Sequence, residues 1–175
     1  MSIKKHLNVL NKKQQSALLK LVKKKLIRMP NCPGLQTHPD LHHYEELNPL
    51  IEKLKEYILR DFIVTKCWGI RTDGEDILWH DHKRTRLTEE EKKLINDKFP
   101  EVELEFTDRA IVYYLKNKKS LGTMFRGKNG KVVRWKGPEN SLLIFKHETH
   151  SPPLSKRRGL KTHRYSISLD ISFKT

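Results

Sequence analysis

From residue 62 onward, the sequence contains short runs of apolar and β-branched residues that recur at regular intervals. The runs are residues 62–70, 102–106, 110–115, 121–125, 132–135, 142–145 and 164–173, and turn-forming residues separate most of them. Many short strands at even spacing are typical of antiparallel double-layered folds. The pattern therefore predicts a mainly β fold of the jelly-roll type, with flanking helices packed on one side.

Two amphipathic segments precede these runs. In residues 3–28, apolar side chains recur at near-helical spacing and lysines fill most other positions, which predicts one basic amphipathic helix with a break near Asn11. Two prolines and a glycine follow this segment and should end the helix. A second helix is predicted from Asn48, as the N-cap, through Pro49 to about Arg60.

The chain of 175 residues is long enough for a single domain with a core of its own. We expect residues 1–60 to form a helical N-terminal support and residues 61–175 to form the jelly-roll core. Residues 83–100 should be a helical insertion within that core, because Thr88 and Glu91 have the spacing of a capping box and a proline ends the segment.

The net charge is strongly positive, with 36 Lys and Arg against 21 Asp and Glu, which gives +15. Such a field attracts polyanions, so nucleic acid is a possible partner. The lysines are spread along the chain, however, and this distribution is equally typical of a protein that is simply kept soluble by its charge.

The sequence also bears on where the protein works. It has no apolar run near the roughly 20 residues that a membrane helix needs, and no apolar segment of a signal peptide at its start. Cys32 and Cys67 stand in unrelated contexts, which favours free thiols over a disulfide framework. We therefore expect no membrane partner and a cytoplasmic location, in the cytoplasm of the host cell if the protein is viral.

The segment Trp79-His80-Asp81-His82 is the strongest chemical motif. An extended backbone sends alternate side chains to opposite faces, so His80 and His82 should share one face. Two imidazoles on one face can bind a metal ion.

A third metal ligand is predicted at His150, which follows the apolar run of residues 142–145. His147 is a competitor for this position. Further along, Arg164 begins a strand of β-branched and hydroxyl residues, and an arginine is suited to bidentate binding of a carboxylate.

Together these segments resemble the iron(II)- and 2-oxoglutarate-dependent oxygenase superfamily. In that superfamily, a His-x-acid motif, a distal His and a later Arg-x-Ser lie on a double-stranded β-helix, a jelly roll like that of cupins. The oxygenases of bacterial and phage type are the most similar. The matching segments are Cys67-Trp68-Gly69-Ile70, Gly74, His80 to His82, Ala110 to Leu115, Leu142 to Phe145 and His150, within residues 34–173.

The resemblance implies a site as well as a fold. It implies an Fe(II) site with His80 and His150 as ligands and His82 at the place of the second ligand, and it implies that Arg164, Ser166 and Tyr114 bind the co-substrate 2-oxoglutarate, with Tyr113 as the alternative tyrosine. It also implies dioxygen as a second co-substrate. The enzyme would be a dioxygenase, or hydroxylase, that couples oxidative decarboxylation of 2-oxoglutarate to hydroxylation of a substrate.

One position departs from the pattern of the superfamily. The second ligand there is usually a carboxylate two places after the first histidine, whereas this chain has His82 at that place and Asp81 one place earlier. Face parity favours a three-histidine site with His82, and a local bulge that turns Asp81 inward is the alternative.

Three functions are compatible with these residues. The resemblance favours hydroxylation of a protein or peptidyl side chain, such as proline. The positive charge makes a nucleic-acid base hydroxylase or demethylase the first alternative. The possible three-histidine site makes a cupin-like metal protein that does not use 2-oxoglutarate the second.

Overall fold

The computed structural model describes residues 3–28, 34–72, 79–80, 107–118, 120–127, 129–146, 148–152 and 163–174. The elements in chain order are β1 (Lys4–Leu7), α1 (Lys12–Lys25), β2 (Leu35–Gln36), α2 (Asn48–Tyr57), β3 (Phe62–Thr72), β4 (Arg109–Lys116), β5 (Thr123–Arg126), β6 (Val132–Trp135), β7 (Ser141–Phe145), β8 (Thr149–Ser151) and β9 (Arg164–Phe173). Two single-turn 3₁₀ helices, Leu41–His43 and Glu45–Leu47, precede α2. Neither α1 nor α2, the α-helices of these ranges, is long and apolar enough to span a membrane.

The described strands form two antiparallel sheets. The major sheet has the order β1-β7-β4-β9-β3-β2, and the minor sheet has the order β6-β5-β8. A bridge between His80 and His150 adds one more chain segment to the minor sheet beside β8. The predicted mainly β architecture is confirmed.

The strands of the major sheet send alternate side chains into two different cores. On β4, Ile111, Tyr113 and Leu115 face the core that α1 and α2 cover. Ala110, Val112 and Tyr114 join Phe125 of the minor sheet and Leu143 and Phe145 of β7 in the second core. Because neighbouring residues of a strand point to opposite faces, β4 contributes to both cores and separates them. The second core lies between the sheets.

Helix α1 begins where its sequence predicts a break. The side chain of Asn11 accepts a hydrogen bond from the backbone N–H of Gln14, and the Gln14 side chain accepts one from the backbone N–H of Asn11, which completes a capping box. Leu18, Leu21 and Val22 are its buried residues. They pack against the helix side of the major sheet, where a Cβ on Gly69 would lie only 2.8 Å from Val22.

The prediction of a helix over all of residues 3–28 is wrong for its first turns. Residues Lys4–Leu7 form β1, which pairs with Ser141 to Ile144 of β7. Helical spacing in this short segment is outweighed by the open edge of β7, which satisfies the backbone hydrogen bonds of β1. The positive φ of Asn8, 53°, reverses the chain between β1 and α1.

Helix α2 starts near the predicted Asn48-Pro49 pair but differs at both ends. Leu47 is the N-cap and Asn48 already has helical φ and ψ, while the helix ends at Tyr57 rather than Arg60. Leu50 and Leu54 are its buried side chains and help cover the major sheet. The predicted strand over residues 102–106 and the predicted insertion over residues 83–100 lie outside the described residues.

Asn140, at the turn before β7, joins three parts of the chain. Its φ is 60°, and its side-chain oxygen accepts hydrogen bonds from the Leu10 N–H and the Tyr113 hydroxyl at 3.0 and 2.8 Å. Its side-chain nitrogen donates to the Leu10 carbonyl at 2.7 Å. The residue therefore fixes the start of α1 against β4 and β7.

We predict that Asn140→Ala lowers the free energy of unfolding by about 2–4 kcal/mol, because three hydrogen bonds are lost and alanine is strained at positive φ. Asn140→Gly should cost less, since glycine adopts this φ freely. Urea denaturation followed by circular dichroism measures both variants. An alanine variant with the same unfolding midpoint as the unmodified protein would contradict the prediction.

Candidate active site

His80 and His150 are directly opposite each other on two paired antiparallel segments, of which the second is β8. Their backbones exchange both hydrogen bonds, at 3.0 Å from the His80 N–H to the His150 carbonyl and 2.8 Å in the reverse direction. Their ring centroids are 4.3 Å apart at an interplanar angle of 56°. Directly opposed residues of an antiparallel pair share a face, so the backbone pairing alone brings the two imidazoles together.

The surroundings of His150 select one tautomer of its ring. The Nδ1 atom is 2.9 Å from the carbonyl oxygen of Glu148, which can only accept a hydrogen bond. Nδ1 must therefore carry the proton in this contact, so Nε2 is the unprotonated nitrogen of the neutral ring. Phe145 packs edge-on at 4.7 Å between ring centroids, and the residue is only 4% exposed. This is the state in which a histidine binds a metal ion.

Arg164 lies buried at the start of β9. It is 4% exposed, and its guanidinium carbon lies 5.1 Å from the centroid of the Tyr114 ring. Its Nε is buried and has no hydrogen-bond partner among the described residues. Burial lowers the pKa of Arg164, and the adjacent Tyr114 opposes this shift. A guanidinium nevertheless stays charged in proteins, so this position favours an anionic partner.

Tyr114 connects Arg164 to the minor sheet. Its hydroxyl lies 2.7 Å from the hydroxyl of Thr123 on β5, and burial raises its pKa. A Cβ on Gly137 would come within 2.4 Å of the Tyr114 ring, so glycine at that position makes room for the ring. Tyr114 also lies opposite Ser166, which is buried and two residues from Arg164 on the same face of β9.

The structure distinguishes between the two candidate tyrosines. Tyr113 faces the helices, and its hydroxyl donates to Asn140. Tyr114 faces the space between the sheets, as Arg164 and Ser166 do. The predicted residues Tyr114, Arg164 and Ser166 are thus brought together, and His80 and His150 form a pair.

Two more polar residues of β9 are buried on the Arg164 face. Ser168 and Asp170 are 8% and 5% exposed and continue the alternation that starts at Arg164 and Ser166. The intervening residues Tyr165, Ile167, Leu169 and Ile171 belong to the core beneath the helices. The sequence analysis did not select Ser168 and Asp170, although the strict polar–apolar alternation of residues 164–171 was a signal for them.

Three of the predicted or alternative metal ligands have no described position. His82, its alternative Asp81 and the competitor His147 all lie outside the described residues. Within the described ranges, no group of three or more His, Cys, Asp or Glu side chains could hold a metal ion. His80 and His150 lie side by side, but the metal site predicted from His80, His82 and His150 stays a prediction.

Comparison with known proteins rests on structure rather than on sequence. No family model and no curated protein sequence matches the chain. Solved structures match over almost the whole chain, but at identities of 8–15% that show only a shared fold.

Three of these structures illustrate the likeness. Viral collagen prolyl hydroxylase vCPH from Paramecium bursaria Chlorella virus-1, as its 2OG complex, has a TM-score of 0.67 and 11% identity, with 98% of this chain and 96% of that chain covered. HygX from Streptomyces hygroscopicus, with nickel, 2-oxoglutarate and hygromycin B bound, has a TM-score of 0.65 and 9% identity, with 98% and 83% covered. A Trichoplax adhaerens prolyl hydroxylase, in complex with a hypoxia inducible factor peptide fragment, has a TM-score of 0.62 and 15% identity, with 97% and 82% covered.

These structural neighbours are iron(II)- and 2-oxoglutarate-dependent oxygenases with a jelly-roll fold. The predicted double-stranded β-helix is therefore confirmed as the fold of this chain.

We predict that the hydroxyls of Tyr114 and Thr123 are energetically coupled. In a double-mutant cycle of Tyr114→Phe and Thr123→Val, the coupling free energy should be about 1 kcal/mol, because each single change leaves a buried hydroxyl unpaired. Urea denaturation of the four proteins measures it. The matched cycle with Tyr113→Phe should be additive, since Tyr113 lies on the other face of β4. Additivity of both cycles would contradict the prediction.

Proposed function

We propose that this protein is an iron(II)- and 2-oxoglutarate-dependent dioxygenase that hydroxylates a protein or peptidyl side chain. One observation carries the proposal: a buried arginine, whose Nε has no partner in the described part of the chain, lies in the same two-sheet fold as a pair of adjacent histidines. The fold shared with 2-oxoglutarate oxygenases supports it.

The residues around Arg164 fit a dicarboxylate. A carboxylate placed there would neutralise the guanidinium and accept a hydrogen bond from Nε, whose donor has no other partner among the described residues. Tyr114 and Ser166 offer hydroxyl donors on the same side of the major sheet. In this proposal they bind the carboxylate of 2-oxoglutarate that lies far from its keto group.

The histidine pair fits a divalent metal. His150 would bind through Nε2, since Nδ1 is bonded to Glu148, and His80 would bind beside it. His82 is the third ligand that the sequence favours, and Asp81 is the alternative. Iron(II) held there would supply the chemistry by which dioxygen oxidises 2-oxoglutarate to succinate and carbon dioxide and a substrate C–H bond is hydroxylated.

The protein's own contribution is binding and orientation. Arg164 and Tyr114 would hold the far carboxylate of the co-substrate between the sheets, and the histidine pair would hold the metal that its keto end binds. Phe125 and Phe145 form an apolar wall against His150, with ring centroids 6.1 and 4.7 Å from the imidazole. This wall keeps His150 in one orientation and excludes water from that side of the ring.

The substrate class is the finer part of the proposal. A peptidyl substrate is supported by the neighbours that are prolyl hydroxylases, one of them in complex with a peptide fragment. HygX, whose structure contains hygromycin B rather than a peptide, has the same fold. Succinate formation stimulated by a proline-rich peptide would support the peptidyl assignment, and stimulation by an oligonucleotide or an aminoglycoside alone would contradict it.

We predict that the protein, loaded with Fe(II) without oxygen and then exposed to air, converts 2-oxoglutarate to succinate. His150→Ala should lower this rate at least about 100-fold, because a metal ligand is lost. His43→Ala, which changes an exposed histidine on a 3₁₀ helix, is the control and should keep the rate. Equal rates in the His150 variant and the control would reject the proposed metal site.

Binding of 2-oxoglutarate gives a separate test of Arg164. We expect Arg164→Met to raise the Kd for 2-oxoglutarate about 100-fold, because a buried charge partner of the carboxylate is removed, while Fe(II) affinity stays the same. Arg109→Met, which changes an arginine stacked on Phe173, is the matched control. Anaerobic equilibrium dialysis measures both ligands. An unchanged Kd in the Arg164 variant would favour the cupin-like alternative.

A further inference from the structure

Strand β6 is the outer strand at one end of the minor sheet. Among the described residues, it pairs with β5 on one side and with no strand on the other. Val132 and Val133 are 47% and 39% exposed, and Arg134 is exposed as well. Such an edge is a template for an added strand.

The hydrogen bonding of the minor sheet shows which groups β6 offers at this edge. His150 exchanges its backbone hydrogen bonds with His80, so the pair of His150 with Phe125 must be of the non-hydrogen-bonded kind. Phe125 is then hydrogen-bonded to Val133 on its other side. The hydrogen bond from the Gly127 N–H to the Lys131 carbonyl agrees with this assignment, because it lies two residues along each strand from the pair of Phe125 with Val133. Consequently Val132 and Arg134 direct their N–H and C=O groups outward.

The two faces of this edge differ in chemistry. Val133 lies in one row with Phe125, His150 and His80, on the face that looks between the sheets. Trp135 shares this face and packs against the core there.

The opposite face of the minor sheet is basic. Arg134 contacts the sulfur of Met124 at 3.8 Å, and Arg126 lies 4.3 Å from the centroid of the Trp79 ring. A strand added to β6 would thus meet apolar groups on one face and guanidinium groups on the other.

The charge around β6 selects the partner. Among the described residues of 120–138, which contain β5 and β6, none is Asp or Glu, and the exposed basic residues are Arg126, Lys131, Arg134 and Lys136. An added strand rich in Asp and Glu would be attracted to this segment and a basic one repelled. One outer strand of the major sheet, β1, differs because Lys4 and Lys5 protect it in the usual manner of edge strands.

We propose that β6 binds an extended acidic segment of a partner protein by strand addition. Residues of that segment opposite Val133 and Trp135 would be apolar, and the residue opposite Arg134 would be acidic. At about 4.8 Å per strand, the added strand would lie roughly 14 Å from β8, which makes it an anchor separate from His150. The inference does not depend on the proposed enzymatic activity.

The test uses the full chain without added metal and a fluorescein-labelled synthetic heptapeptide in which valine alternates with aspartate or glutamate. Fluorescence anisotropy should show saturable binding. Amide hydrogen exchange by NMR should slow at least about tenfold at Val132 and Arg134, which gain hydrogen bonds, and stay unchanged at Val133, which is already bonded to β5.

Two control peptides separate strand addition from simple charge attraction. One has the same composition in an apolar block and an acidic block, and the other is N-methylated at alternate amides. Both should bind at least about tenfold more weakly than the alternating peptide. Equal binding of all three peptides would overturn the proposal, because attraction would then depend on charge alone.

Variants of β6 give an independent result. Val132→Pro removes an outward N–H without removing a bond to β5 and should weaken binding about tenfold, whereas Val132→Thr keeps the N–H and should bind as the unmodified protein does. Arg134→Glu should favour a lysine-containing version of the peptide over the acidic one. If Val132→Pro does not fold, the methylated peptide still decides the question.

A single-stranded oligonucleotide that slows exchange at Val132 and displaces the alternating peptide at lower concentration would identify a polyanion surface and overturn the proposal.

Discussion

A buried guanidinium between two β-sheets is the constraint on which the candidate site depends. Burying a charge is costly unless an opposite charge or several hydrogen bonds compensate it. Arg164 has the aromatic face of Tyr114, which is held in turn by Thr123 and given its space by Gly137. Its Nε has no partner among the described residues, and the proposed function therefore assigns a carboxylate to this position. The two sheets of the fold enclose this position.

A single alternation of backbone hydrogen bonds organises the minor sheet from one side to the other. Because His80 and His150 bond to each other, the register continues through Phe125 to Val133 and determines which groups of β6 face outward. The same register places the row of His80, His150, Phe125 and Val133 on one face. The proposed metal site and the proposed docking edge are therefore consequences of one pairing pattern rather than separate features.

Strand β9 shows how the two layers of the fold divide their tasks. Its apolar residues pack beneath α1 and α2, and its polar residues line the space between the sheets. Strand β4 has the same division, with Tyr113 bonded to Asn140 on one side and Tyr114 beside Arg164 on the other. A shift of one residue in either strand would exchange these faces and bury the wrong side chains, so the core beneath the helices also fixes the register of the site.

The sequence by itself determined the features that depend on local periodicity. The short strands, the start of α1 at Asn11, and the shared face of Arg164 and Ser166 follow from spacing along one segment. Tertiary structure decided what depends on distant partners: β1 is a strand because β7 has an open edge, and Tyr114 rather than Tyr113 meets Arg164 because of the pairing of β4 with β9. The contact of His80 with His150 joins residues 70 positions apart, and only the hydrogen-bonded pairing of two chain segments could bring their imidazoles together.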